Sequence, residues 1–221
     1  MLNSNIKIDL HIHSAESKYK DGSIVEDSKI ENLDSLLSKL NDNEISMFSI
    51  TDHNRFDYKI YEKAVEKVNS NVYPKIKKCL PAIEFDVSFL GDDRCHIIAV
   101  FDDKDISKIK NISNAINETR KLESKDDFYS IKEFSEILHK ISTSTILIAH
   151  QKNSILTSHN NGQTNLSDAV NNMEEFYRII KFGYIDALEF GNNKSEAIVK
   201  DSLKEIGLEN IPLISGSDCH T

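Results

Sequence analysis

Residues 6–14 read IKIDLHIHS, a short apolar run that leads directly into two histidines separated by one residue. Such runs recur along the chain, and most are too short for helices and rich in Ile, Val and Phe. We predict that they are strands, several of them buried on both faces. The seven runs are residues 6–10, 45–50, 80–90, 96–101, 145–149, 184–190 and 211–215.

Amphipathic patterns lie between these strands, with apolar residues at steps of three and four, as on one stripe of a helix. Strands separated by helices favour parallel pairing through right-handed crossovers, in a closed barrel or an open doubly wound sheet. The pattern alone leaves both architectures open. The predicted helices are centred on Ile30–Leu40, Ile60–Val68, Ile131–Ile141, Val170–Ile180 and Ala197–Leu203.

The composition is that of a globular protein. Of the 221 residues, 39% are hydrophobic and 29% charged, the formal net charge is −9, and no apolar run is long enough to cross a bilayer. The negative charge argues against the broad basic surface of a nucleic-acid-binding protein. The three cysteines show no CxxC spacing and no signal peptide is evident, so we expect reduced cysteines and a cytoplasmic location.

Imidazole and carboxyl groups cluster at the ends of the predicted strands. Chemistry in α/β folds collects beyond the carboxyl ends of the strands, so we expect these groups to meet on one face. Alternation in extended chain points both members of an HxH or DxH pair to the same side. Four strands run into such residues, namely His11 and His13, Asp52 and His53, His150, and Asp218 and His220.

Glu84 interrupts the apolar run of residues 80–90, and a carboxylate inside a strand needs a partner or a metal ion. Neutral imidazole and carboxylate are the ligands of zinc, manganese and iron. The residues together predict a multinuclear metal site, although each motif alone has an ordinary interpretation. Asp52 would also suit a helix cap, and His139, without a partner inside a predicted helix, is not expected to contribute.

The chain resembles the PHP (polymerase and histidinol phosphatase) superfamily of metal-dependent phosphoesterases in four motifs that occur in order. These are DLHIH at 9–13, TDH at 51–53, AHQ at 149–151 and GSDCH at 216–220, with EFDV at 84–87 and CHIIAVF at 95–101 between them. The resemblance implies a distorted (β/α)7 barrel and a trinuclear metal site. It covers nearly the whole chain, so we expect a single domain over residues 1–221.

The resemblance implies nine metal ligands divided among three ions. One ion would be held by His11, His13, Glu84 and Asp218, a second by Glu84, His96 and His150, and a third by Asp21, His53 and His220.

Three positions depart from the family pattern. The segment between His13 and Asp21 is longer than usual, so Glu16 is the alternative to Asp21. Gln151 stands where the family often has a proline, which is not a ligand. His96 begins its apolar run instead of ending it, so its strand is expected to run against the usual direction.

The resemblance further implies a hydrolase acting on phosphoric ester bonds, either a phosphatase or a nuclease-like enzyme. Two or three divalent ions (Zn, Mn or Fe) would activate a hydroxide that attacks phosphorus. The substrate would be a phosphate ester, with nucleotides and nucleic-acid ends among the candidates, and we expect no membrane partner. Glu84, Asp218 and His220 would be catalytic, and Arg55, Arg94, Lys152 and His159 would contact the substrate.

Two alternative functions stay open. The chain stops before the helix expected to cover the last strand, so residues 1–221 are interpreted as the N-terminal part of a longer chain that continues into an ATPase or polymerase domain. In that setting the domain would bind metal for a regulatory or structural purpose. Amidohydrolases also begin with HxH on the first barrel strand, but they bridge two metals with a modified lysine, and no lysine ends a middle strand here.

Overall fold

A computed structural model of the chain describes residues 6–14, 17, 32–89, 94–122, 124, 127–150, 183, 185–190, 196–197, 200–201, 203–204 and 207–218. Eight strands and four helices have defined bounds within these residues. The strands are β1 (Lys7–Asp9), β2 (Ile45–Ile50), β3 (Lys78–Ser88), β4 (Arg94–Phe101), β5 (Tyr129–Ser130), β6 (Thr145–His150), β7 (Ala187–Glu189) and β8 (Leu213–Ile214). The helices are α1 (Leu33–Asp42), α2 (Tyr58–Asn69), α3 (Ile106–Thr119) and α4 (Ile131–Ile141).

The strands form one curled sheet in the order β1-β2-β3-β4-β6-β7-β8, with β5 paired to β3. Pairing is parallel from β1 to β3 and from β6 to β8, whereas β4 is antiparallel to both of its neighbours. The fold is therefore mixed α/β with a half-barrel sheet, which fits the predicted distorted barrel. The expectation of parallel pairing is wrong for β4, and the reversed direction inferred from the position of His96 is confirmed.

All seven predicted strands occur, but two elements lie outside the sequence-based predictions. One is the short strand β5, and the other is helix α3. Helix α3 has an amphipathic pattern of its own, because Ile109, Ile112 and Ile116 recur at steps of three and four and are buried. The pattern of α3 is thus as regular as those of the predicted helices.

The predicted apolar stripes of α1, α2 and α4 pack into the core. Buried residues include Leu37 of α1, Ala64 of α2 and Phe134 of α4. The predicted helix at 170–180 lies outside the described residues, whereas the described residues between 196 and 204 are helical and Leu203 is buried. In the part of the chain that is described, no helix is both long and apolar enough to cross a membrane.

The reversed strand β4 brings its amino end to the edge of the sheet where β3 and β6 end. His96 of β4 pairs with Asp86 near the end of β3, and Ile97 pairs with Ala149 near the end of β6. A histidine at the start of an antiparallel strand therefore reaches the same edge as His150 at the end of β6. This register explains why a ligand-type residue begins the apolar run of β4.

The two ends of the sheet meet through the loop that follows β8. The backbone N–H of Ser217 donates to Asp9 Oδ1 at 3.1 Å, and the Ser217 hydroxyl donates to the His11 carbonyl at 3.3 Å. The loop after the last strand thus reaches the end of the first strand, although the two strands do not pair within the described residues.

Candidate metal centre

Glu84 lies at the centre of the candidate site. Its side chain is 1% exposed, and neither carboxylate oxygen accepts a hydrogen bond from a described residue. A buried carboxylate without hydrogen bonds is costly unless a cation compensates it. Glu84 Oε2 lies 3.4 Å from His11 Nε2, 3.3 Å from His13 Nε2 and 3.2 Å from His53 Nε2, and Oε1 lies 3.2 Å from His96 Nδ1 and 3.7 Å from His150 Nδ1.

Strand β3 presents this carboxylate because its side chains alternate. Phe85 and Val87 are fully buried in the hydrophobic core, while Glu84 and Asp86 point to the opposite face. Asp86 is 1% exposed, and its Oδ1 lies 3.2 Å from His53 Nδ1. Asp86 was not predicted from the sequence, although Glu84-x-Asp86 has the same alternate spacing as the HxH motif and that spacing could have identified it.

The HxH pair and Asp218, the described member of the DxH motif, lie together. His11 Nε2 lies 3.1 Å from His13 Nε2, and Asp218 Oδ1 lies 3.5 Å from the first of these nitrogens and 3.6 Å from the second. Two imidazole nitrogens at this distance, both facing a carboxylate oxygen, form a ligand set suited to one divalent ion.

Among the described residues, four overlapping groups of side chains have ligand atoms within 4.8 Å of one another. Each group combines imidazole with carboxylate. Neighbouring groups share one residue, which is His11, Glu84 or His53. His96 is grouped with His53 and Asp86, whereas the family resemblance places it with His150. The groups are His11–His13–Asp218, His11–Glu84–His150, His13–His53–Glu84 and His53–Asp86–His96.

Several predicted site residues fall outside the described part of the chain. These are Asp21 with its alternative Glu16, His220, Lys152 and His159. For Arg94, the structure describes the backbone within β4 but not the side chain. Arg55 follows His53 and lines a cavity beside it.

Electrostatics in the cluster favour a positive charge near Glu84. Burial alone would raise the pKa of Glu84, but the charges of His53, His11 and His96 outweigh it and hold the pKa well below its usual value. Burial alone would lower the pKa of His11, yet Glu84 and Glu189 raise it well above its usual value. Either protons on the imidazoles or divalent ions bound between them would compensate the negative charge of Glu84.

Outer residues orient the imidazoles of the HxH motif. Glu189 Oε2 lies 2.7 Å from His11 Nδ1, and Ser17 Oγ lies 3.1 Å from His13 Nδ1. When Nδ1 of each ring carries the proton and donates it to these oxygens, each Nε2 keeps its lone pair for a metal ion. Ser17 was not predicted from the sequence, because it carries no motif signal.

Asp52 holds the chain around His13 instead of capping a helix. It accepts hydrogen bonds from Ser14 N at 2.7 Å, from Ser14 Oγ at 2.6 Å and from Ser17 Oγ at 3.0 Å. Helix α2 is capped by Asp57, which accepts from the backbone N–H of Lys59. Asp52 therefore supports the segment around His13, and the helix-cap interpretation of Asp52 is wrong.

Gly216 allows the last loop to approach the site closely. A Cβ at this position would lie 2.1 Å from Glu189 Oε1 and 2.7 Å from His11 Cβ. Two positions later, Asp218 adopts the left-handed region with φ of 46° and turns its carboxylate to the HxH pair. Glycine is thus required here by space and not by its backbone angle.

Comparisons with known proteins indicate the fold. No family model matches the sequence, and no curated protein sequence matches it. Among solved structures, the chain is similar to a protein from Bifidobacterium adolescentis that is provisionally described as a metal-dependent phosphoesterase. The TM-score is 0.61 at 13% sequence identity, covering 99% of this chain and 89% of the other. The chain therefore shares the fold of that protein and carries clusters of potential metal ligands in it.

Proposed function

We propose that the chain is a metal-dependent phosphoesterase of the PHP type that binds two or three divalent ions in the cluster around Glu84. The observation that carries this proposal is the environment of Glu84: a fully buried carboxylate, without hydrogen bonds from described residues, faces five imidazoles. Structural cores rarely tolerate such a group, whereas metal-dependent hydrolases depend on it.

The two oxygens of Glu84 face different sets of imidazoles. Oε2 faces His11, His13 and His53, while Oε1 faces His96 and His150. This division suits a carboxylate that bridges two ions. Bound divalent ions would lower the pKa of a coordinated water and neutralise charge on the phosphoryl oxygens.

The chain's own residues would supply the remaining ligands and the substrate contacts. Asp218 complements the HxH pair and Asp86 complements His53 and His96. Asp21 and His220 remain proposed ligands from the family resemblance, as do zinc, manganese or iron as the ions. Glu84, Asp218 and His220 are the proposed catalytic residues, and Arg55, Arg94, Lys152 and His159 are proposed to contact the phosphate.

A phosphate ester is the substrate class that this charge distribution favours. The chain carries a net charge of −9, so a phosphate would be attracted to the metal-loaded edge of the sheet and not to the general surface. The fold shared with a provisionally described metal-dependent phosphoesterase supports the same substrate class.

The proposal is tested by metal content and hydrolysis measured on the same preparations. We expect about two or three ions per chain by elemental analysis, and turnover of p-nitrophenyl phosphate or its bis-p-nitrophenyl diester with added manganese or zinc. His11→Ala and Asp218→Ala should lose bound metal and lower kcat/KM by more than about a hundredfold.

His139→Ala is the matched control, because His139 is an exposed histidine of α4 outside all four groups. It should retain wild-type metal content and turnover. Bound metal without turnover of any phosphate ester would instead favour the regulatory or structural module, and a chain that binds no metal would refute both functions.

A further inference from the structure

A cavity of about 290 Å³ adjoins the candidate metal centre. His53 and Asp86, which belong to one of the four ligand groups, form part of its wall. A molecule in this cavity would therefore lie next to His53 and Asp86. The volume lies at the low end for ligand-binding pockets, which favours a small molecule over a polymer.

Helix α3 forms one wall of the cavity with a single face. Ser113, Ile116 and Asn117 follow helical spacing along this wall, and Lys121 and Leu122 extend it beyond the last turn. The opposite wall is the segment after β2, and the Ser113 hydroxyl donates to the Phe56 carbonyl at 2.6 Å, which fixes the two walls together. The two segments that line the cavity are therefore held together by a direct hydrogen bond.

The cavity combines apolar surface with positive charge. Phe56, Ile116 and Leu122 are largely apolar contributors, whereas Arg55 and Lys121 bring two cations. Asp86 is the one acidic residue among the described residues that line the cavity, and it is already in contact with His53 and His96. Such a lining suits a partly apolar molecule that carries an anionic group.

Lys121 and the preceding residue, Arg120, differ in whether they form an ion pair with a described carboxylate. Arg120 is paired with Glu133, with 2.9 Å between Nε and Oε1. Lys121 is exposed, and within the described residues no carboxylate pairs with its ammonium group. An ammonium group that lines a cavity without such a pair can bind an anionic ligand at little cost.

We propose that this cavity binds the leaving group of the phosphate ester and that Lys121 selects leaving groups that carry a second anionic group, such as a carboxylate. This inference rests on the proposed function and adds a substrate class to it. The scissile phosphate would lie at the ions, the body of the leaving group against Phe56, Ile116 and Leu122, and its anionic group beside Lys121. Small doubly anionic esters are thus preferred over nucleic-acid ends.

Two esters that differ in one group test the inference, namely phenyl phosphate and 4-carboxyphenyl phosphate. We expect wild-type protein to prefer the carboxylated ester in kcat/KM by about threefold to thirtyfold. Lys121→Met should remove most of this ratio, because the methionine keeps the apolar stem and loses the charge. Lys132→Met, which removes an exposed lysine of α4 outside the cavity, should preserve the wild-type ratio.

Binding of phenylphosphonate and 4-carboxyphenylphosphonate, measured by calorimetry, is a readout that does not require turnover. We expect the carboxylated phosphonate to have the lower dissociation constant in the wild type, and Lys121→Met to remove most of this difference. Hydrolysis of both esters with a ratio unchanged in Lys121→Met overturns this inference and leaves the proposed function standing. If the metal-loaded wild type hydrolyses neither these esters nor p-nitrophenyl phosphate or its diester, the proposed function is refuted. In that case, equal binding of the two phosphonates overturns the inference as well.

Discussion

At the level of single residues, close contacts on several sides fix the orientation of the His11 side chain. Its Nδ1 faces Glu189, its Nε2 faces His13 and Glu84, and its Cβ faces Gly216. These neighbours surround the His11 side chain at Nδ1, Nε2 and Cβ, so displacement of any of them is expected to move the imidazole. The orientation of His11 is therefore the property that local substitutions perturb first.

Gly216→Ala should destabilise the protein and weaken metal binding together. The added methyl group would lie 2.1 Å from Glu189 Oε1, so the Glu189 side chain or the last loop must shift. We expect a loss of about 1–3 kcal/mol in the free energy of unfolding, measured by urea denaturation, with reduced metal content. Ser215→Ala, at the exposed neighbouring position, is the control and should change neither quantity. Wild-type stability and metal content in Gly216→Ala would contradict the close packing.

At the scale of elements, the segment between β2 and α2 is fastened to β3 by Asn54. Its backbone N–H donates to the Glu84 carbonyl at 2.8 Å, its side-chain oxygen accepts from Asp86 N at 2.9 Å, and its side-chain amide donates to Asp86 Oδ2. Asn54 adopts the left-handed region with φ of 54°, which asparagine tolerates better than most residues. This residue thus positions His53 beside Glu84 and Asp86.

Asn54→Ala should lose both side-chain hydrogen bonds and retain a strained backbone, at a cost of about 2–4 kcal/mol in the free energy of unfolding. Asn54→Gly relieves the strain and loses only the hydrogen bonds, so it should be less destabilising than the alanine variant. Both should bind less metal, because Asp86 and His53 lose their common support. Equal stability of the two variants in chemical denaturation would show that the left-handed backbone imposes no strain.

The elements also show where sequence patterns suffice and where they do not. Local periodicity predicted the seven main strands and the stripes of α1, α2 and α4, because each depends on residues close in sequence. Pairing direction depends on contacts between distant segments, so alternation of strands and helices predicted parallel pairing for β4 incorrectly. The histidine that begins that strand was the local feature that indicated the reversal.

At the scale of the whole molecule, the spacing of the motifs predicted that residues from both ends of the chain would meet. His11 and Asp218 do so, in one ligand group among the described residues. Asp86 shares the alternate spacing of the HxH motif, but it was missed because that spacing alone also has an ordinary interpretation, which the register with His96 excludes. Ser17 was missed because a serine that orients an imidazole has no characteristic spacing. Outer contacts of this kind are specified by the fold and not by a local motif.

Anomalous diffraction from crystals grown with manganese would locate bound ions without reference to activity. We predict at least one anomalous peak within about 2.0–2.3 Å of a Glu84 oxygen and of imidazole nitrogens of the HxH pair, with a further peak on the side of His96. Crystals of fully folded protein with no anomalous peak near Glu84 would contradict the proposed metal centre.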